Sequence, residues 1–365
     1  MTTPQYAEEY RWLAARLDAL PNGFPSTPDG LELAVLAYLF TPEEAELAAQ
    51  LRLTPETPAT IAARIGRDAD KLSYMLTDLA NRGLIDVVGT DEGPGYTLMP
   101  FVVGFYENQG PVLDAELARL VEAYFKRVFT ATTMDVEPQF HRVIPINETI
   151  PVSIDIQPFE SAMAIINRAQ AWGVAECICR KQKELIGEAC GHPLEVCMVF
   201  SSEPGAFDQA EVVRPLTREE SLAMLRAAAD AGLVHTVGNR QDHTSYICNC
   251  CTCGCGILRG IAELGMANVV ARAAFESVVD AALCTGCQTC AEWCQFGALA
   301  LDDTGIMAVD RRRCVGCGQC ALHCEQGALA LVRRPEDEIK PIPATLGDWQ
   351  AQRAAARGRD LADVL

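Results

Sequence analysis

All 17 cysteines of this 365-residue chain lie between Cys177 and Cys324, and the 176 residues before them contain none. That distribution divides the chain. The first part must stabilise itself by burying apolar side chains, and 49% of the residues are apolar. The second part is organised around thiols. Disulfide frameworks suit short secreted chains, whereas this chain is long, its cysteine number is odd and its cysteines are tightly clustered. The segment MTTPQYAEEYRW is acidic and lacks the basic patch and apolar run of an export signal. The pattern predicts thiolates kept reduced in the cytoplasm and bound to metal.

Two segments, CTGCQTCAEWCQFGALAL from Cys284 and CVGCGQCALHCEQGALAL from Cys314, repeat with a period of 30 residues and agree at 11 of 18 positions. Each carries the spacing C-x2-C-x2-C-x3-C. This resembles the two-cluster bacterial-type ferredoxins, in which three closely spaced thiolates hold one [4Fe–4S] cluster and the fourth reaches the other. The resemblance implies that Cys284, Cys287, Cys290 and Cys324 hold one cluster, and that Cys314, Cys317, Cys320 and Cys294 hold the second. Gly286 and Gly316 are expected to relieve crowding there. That family usually has proline after the fourth cysteine, where this chain has Gln295 and Glu325. Trp293 is expected to shield a cluster. A pair of structural zinc sites is the alternative, but zinc does not need an interlocked eightfold repeat.

Nine cysteines remain. Cys177, Cys179, Cys190 and Cys197 lie in ECICRKQKELIGEACGHPLEVC, and Cys248, Cys250, Cys251, Cys253 and Cys255 lie in CNCCTCGC. Four thiolates within 21 residues can close a four-cysteine site. The C-x-C start is expected to place Cys177 and Cys179 on one side of an extended strand, with Arg180, Lys181 and Lys183 offsetting the thiolate charge. A third [4Fe–4S] cluster is the preferred occupant, with structural zinc and mixed sites as alternatives. In the second group, the adjacent Cys250 and Cys251 point to opposite sides of an extended chain and so predict different roles. A fourth cluster or a site shared with the first group fits these five. His192 reads as a loop residue that could also be a ligand, and His235, His243 and His323 read as ordinary polar residues.

The N-terminal part reads as helical. Residues 31–40 form an apolar run interrupted by Glu32, too short to span a membrane and suited to a core helix. A short helix at 60–65, a turn at Gly66, and a helix from Asp68 or Asp70 to about Asn81 follow. Leu72, Met75, Leu76 and Leu79 fall at helical spacing, and Gly83 sits at C′. LIDVV then predicts a strand, TDEGPG a turn and YTLM a returning strand. Residues 54–100 thus resemble winged-helix domains. A related helix and wing recur at 217–247, with Thr217 and Glu220 forming a capping box. Between them, 136–158 reads as a Pro-containing connector and 160–172 as a helix. An extended arm follows residue 330, and 349–360 reads as a closing polar helix.

The fold class expected is α+β: a winged-helix-like domain at 1–130, a Cys-rich middle domain at 131–270, a dicluster ferredoxin domain of βαββαβ type at 271–332, and an arm with a helix at 333–365. The whole order resembles a group of multi-cluster [4Fe–4S] proteins of anaerobes. The formal net charge of −19 disfavours nucleic acid, since duplex affinity comes largely from Lys and Arg on phosphates. The would-be recognition helix balances Asp68, Asp70 and Asp78 against Arg67, Lys71 and Arg82, and the wing is acidic. No nucleotide-binding glycine motif is present. Electron transfer, alone or as an oxidoreductase subunit, is therefore expected, with a protein redox partner and a homo-oligomer compatible with the sequence. An enzyme with a Cys-rich catalytic centre and a redox-sensing regulator are the alternatives. Tyr74 on the would-be recognition helix and the apolar FVVGFY at 101–106 are expected to pack on the metal domain or a partner.

Overall fold

The computed structural model describes residues 6–266 and 268–365, in two compact units. One comprises Met1–Glu137, Leu185–Gly187 and Gln350–Leu365. It opens with three helices, α1 (Glu8–Ala19), α2 (Leu31–Leu39) and α3 (Pro42–Ala48). α2 is the expected core helix, with Leu33, Val35 and Leu36 buried. Its Glu32 is buried as well, because the carboxylate accepts hydrogen bonds from Thr27 Oγ1 at 2.6 Å and from the Thr27 backbone N–H at 2.9 Å.

α4 (Pro58–Ile65) and α5 (Ala69–Asn81) follow. Asp68 caps α5 by accepting from the Lys71 N–H at 3.0 Å, and Gly66 and Gly83 take positive φ of 70° and 68° at the two helix ends. β1 (Asp86–Thr90) and β2 (Gly93–Thr97) pair antiparallel. Their pairing runs on to Thr90 and Gly93, so the turn shortens to Asp91–Glu92 and the expected six-residue turn is mostly strand.

The FVVGFY segment does not reach outward. Phe101, Phe105 and Tyr106 are fully buried within this unit. α6 (Ala115–Tyr124) and the turns after it supply Tyr124, Phe125 and Phe129, which ring Phe101 at centroid distances of 5.7, 6.0 and 5.5 Å. Aromatic rings bury large apolar areas and favour such tilted contacts, so the segment makes this unit's own core. A short helix, α7 (Thr130–Thr133), ends the run. The chain returns at Gln350, and the buried Arg353 donates to the carbonyls of Pro21, Thr133 and Val136 at 3.1, 2.5 and 2.5 Å.

The second unit, Pro138–Glu184 and Glu188–Trp349, contains every cysteine. Its scaffold is an antiparallel six-stranded sheet. The elements are β3 (His141–Val143), α8 (Ala162–Arg168), β4 (Ala171–Glu176), α9 (Ile178–Leu185), β5 (Glu195–Ser201), β6 (Arg214–Leu216), α10 (Arg218–Asp230), β7 (Val234–Gly238) and β8 (Tyr246–Cys250). The strand order is β3-β7-β8-β5-β4-β6. Ile165 and Ile166 of α8 pack on Met198, Phe200, Val237 and Ile247 of the sheet.

Two expectations fail here. The helix read at 160–172 stops at Arg168. Trp172 lies in β4, held by pairing to Phe200 on one side and Leu216 on the other. Nor does Cys179 share a strand with Cys177. The Cys177 carbonyl accepts from the N–H groups of Arg180 and Lys181 at 3.1 and 3.0 Å, which turns the chain into α9 at once. The second helix-and-wing segment forms as α10, β7 and β8, with the Thr217 capping box in place. Its hairpin is no free wing, because β3 and β5 pair with its outer edges.

After α11 (Arg259–Leu264), the chain runs through β9 (Phe275–Val279), α12 (Thr289–Glu292), β10 (Leu299–Leu301), β11 (Met307–Val309), α13 (Gln319–Leu322) and β12 (Leu329–Arg333). This is a βαββαβ order in which β9 pairs with β12 and β10 with β11, both antiparallel. Among the described residues no helix is long and apolar enough to cross a membrane.

Candidate metal centres

The ferredoxin-like repeat builds two cavities. One is lined by Cys284, Cys287, Cys290 and Cys324, and the other by Cys314, Cys317, Cys320 and Cys294. Each draws three thiols from one run and one from the other. α12 and α13 begin just before Cys290 and Cys320 and carry each fourth cysteine across to the opposite cavity. Gly286 and Gly316, with φ of 70° and 76°, are required by backbone and not by the thiols. A Cβ there would collide with the carbonyls of Gly305 and Phe275.

The two cavities differ in depth. Cys287 is exposed, while Cys314 and Cys320 are buried. Accordingly, the hydroxyl of Thr289 pulls the Cys287 thiol below its ordinary range, and burial pushes Cys320 up to about 12. Trp293 does not simply cover a cluster. It stacks on His323, its equivalent in the repeat, with centroids 3.5 Å apart and planes 7° from parallel.

Upstream, the nine cysteines regroup across the two sequence segments. Cys177, Cys179, Cys255, Cys250, Cys248 and Cys197 form a closed ring in which each thiol lies near the next. Hydrogen bonds from Cys179 and Cys197 hold Cys177 well below the ordinary thiol range, and those from Cys248 and Cys255 bring Cys250 down to about 5. Thr236 Oγ1 sits 3.4 Å from Cys250 Sγ and 3.3 Å from His141 Nδ1, and His141 Nε2 contacts the Tyr246 hydroxyl at 2.9 Å.

Cys190 stands apart from that ring. It joins Cys251, Cys253 and His192, whose ligand atoms all lie within 4.8 Å of one another. Cys190 and Cys251 are 3.9 Å apart at sulfur, and Cys253 Sγ is 3.6 Å from His192 Nδ1. The adjacent Cys250 and Cys251 thus face different groups, as their alternation predicts. The four-cysteine site of Cys177, Cys179, Cys190 and Cys197 does not form as a unit. Gly191, at φ 73°, turns the loop that carries Cys190 and His192.

Within the basic run, Arg180 reaches a thiol. It is buried and donates from Nε to Cys251 Sγ at 3.4 Å, and from its other nitrogens to the carbonyls of Pro193 at 2.7 Å and Asn249 at 2.6 Å. Lys181 and Lys183 pair instead with Glu176 and Glu188. His235 is buried against Asn249 Oδ1 at 2.6 Å, and His243 is exposed.

Gln295, at the position where ferredoxins usually have proline, links the regions. Its Oε1 accepts from the Thr252 N–H at 2.7 Å, and its Nε2 donates to the Gly232 carbonyl at 2.5 Å. Gln319, beside Cys320, donates to the carbonyls of Ala229 and Leu233 at 3.1 and 2.7 Å. Proline could make neither of the Gln295 bonds. The departure from the ferredoxin pattern was visible in the sequence, but its purpose needed the fold.

A family model for the 4Fe-4S dicluster domain matches residues 283–329. The repeat is such a domain, and the chain is an iron–sulfur protein. Neither the curated proteins nor the solved structures yield a match.

Proposed function

We propose that this chain is an electron-transfer protein or subunit. In this reading Cys284, Cys287, Cys290 and Cys324 hold one [4Fe–4S] cluster, Cys314, Cys317, Cys320 and Cys294 hold a second, and the six-thiol ring holds a further iron–sulfur centre. When bound, such clusters accept and release single electrons. The crossed lining of the two cavities carries the proposal, because a thiol from each run borders the other run's cavity.

The protein's own residues give the relay one open end. Exposed Cys287 opens the first cavity to a partner, and buried Cys314 and Cys320 insulate the second. The Trp293–His323 stack joins the residues that precede Cys294 and Cys324. Gln295 fastens the second cavity's Cys294 to Thr252, between Cys251 and Cys253 of the upstream loop. Iron and sulfide analysis of anaerobically purified protein, with EPR of the reduced form, tests this. Two interacting cubane signals plus iron beyond about eight atoms per chain support it. Iron saturating at about eight removes the upstream centre, and zinc in the two cavities defeats the relay.

The helix–turn–helix and hairpin of the first unit fit a protein-docking module better than a DNA reader. Arg67 and Arg82 are committed to Glu46 and Glu44 at 2.6 Å each, which leaves few cations for phosphate. Tyr74 is 80% exposed on α5, and Val87 and Val88 are exposed on β1. The acidic chain suits a basic face on a cytoplasmic redox partner. Tight duplex binding by the holoprotein in a low-salt gel shift would reverse this assignment.

A further inference from the structure

We infer that Cys190, His192, Cys251 and Cys253 hold a single tetrahedral divalent metal ion of the zinc type, separate from the iron–sulfur centres. Four ligands around one ion, with metal–sulfur bonds of about 2.3 Å and a metal–nitrogen bond of about 2.0 Å, place neighbouring ligand atoms roughly 3.5–3.8 Å apart. The Cys190–Cys251 separation of 3.9 Å and the Cys253–His192 separation of 3.6 Å match those edges. A cubane behaves differently, since each thiolate binds a different iron and stands off at an outer corner. The eight dicluster thiols show that arrangement, spread around the walls of two cavities.

The ligand set points the same way. Three thiolates with one imidazole is an established class of structural zinc site. Three thiolates and a divalent ion leave one net negative charge, and Arg180 places its guanidinium Nε 3.4 Å from Cys251 Sγ. That guanidinium also ties the Pro193 and Asn249 carbonyls, so it orients both ligand-bearing loops. Gly254 lets the second loop close over the site, since a Cβ there would lie 3.0 Å from Arg180 Cγ and 3.3 Å from Cys251 Sγ. The ion would staple the 190–193 loop to 251–253. It would thereby fix the register in which Cys250 and Cys255, on either side, face the six-thiol ring.

This site stands whether or not the chain relays electrons, and its test counts a different element. The full-length protein is purified anaerobically from cells supplied with both iron and zinc. Elemental analysis should find about one zinc per chain, and absorption at the zinc edge should show three sulfurs and one nitrogen. His192→Cys should retain the zinc and convert its shell to four sulfurs. Cys190→Ala should lower zinc at least tenfold while the EPR of the reduced dicluster domain persists. Protein free of zinc, an H192C shell identical to the parent's, or a C190A variant that keeps its zinc would each overturn the inference. The H192C arm decides the matter if C190A does not fold.

Discussion

In the dicluster domain, two short runs with the same spacing each line most of one cavity and cross once to the other. In the upstream region, Cys177, Cys179, Cys197, Cys248, Cys250 and Cys255 come from the end of β4, α9, β5, β8 and the loop beyond, and no single segment supplies a complete set. The first arrangement is local and repeats with its backbone, so spacing alone reveals it. The second is made by strand pairing between β5 and β8, so only the sheet reveals it. Cysteine spacing thus reports a grouping of thiols when one loop gathers them, and fails when the sheet brings them together.

Breaking the crossing should have the largest effect. Cys294→Ala is expected to remove about four irons per chain from the cavity of Cys314, Cys317 and Cys320, and to leave the signal of its own run's cavity in place. EPR of the reduced variant checks this, and the opposite pairing would dissolve the contrast. Cys250→Ala should have the complementary outcome. Iron in excess of the dicluster content disappears, while both dicluster signals survive.

Acid should also separate the regions. His141 and His235 are buried behind the six-thiol ring, and burial lowers each from the ordinary 6.5 to about 4. Their folded state disfavours the proton, so the stability they contribute is complete above pH 6.5 and is lost as pH falls toward 4. The full shift corresponds to about 3 kcal/mol for each residue. Denaturant unfolding between those pH values should therefore show a shallower acid slope in His141→Gln than in the parent. Equal slopes would exclude His141 as a source.

The smallest expected effect is at the joint between the regions. Gln295→Pro, which restores the usual ferredoxin residue, leaves the Thr252 N–H and the Gly232 carbonyl without their partner. Iron content should hold, and unfolding free energy should drop by about 2 kcal/mol. A variant as stable as the parent would mean that the two regions do not depend on this clamp.

Much of this was legible in the residues. The capping signals at Asp68, Thr217 and Gly83, the 30-residue repeat and the different neighbours of Cys250 and Cys251 all follow from local rules. What stayed hidden was tertiary. Helical spacing at 160–172 could not reveal that β5 and β6 would both claim Trp172. FVVGFY carried no mark of Tyr124, Phe125 and Phe129, the aromatic residues that enclose it. His192 looked like any loop residue until the turn at Gly191 placed its ring beside Cys253.

The first unit is sewn shut by residues that come last in the described chain. Arg353 satisfies carbonyls at Pro21, Thr133 and Val136, yet it is translated after the entire cysteine-bearing unit. On a ribosome, domains usually complete themselves in order from the N-terminus. Here the earlier unit must wait, partly assembled, while every thiol emerges. The core of one unit is therefore completed only after the whole of the other has been synthesised.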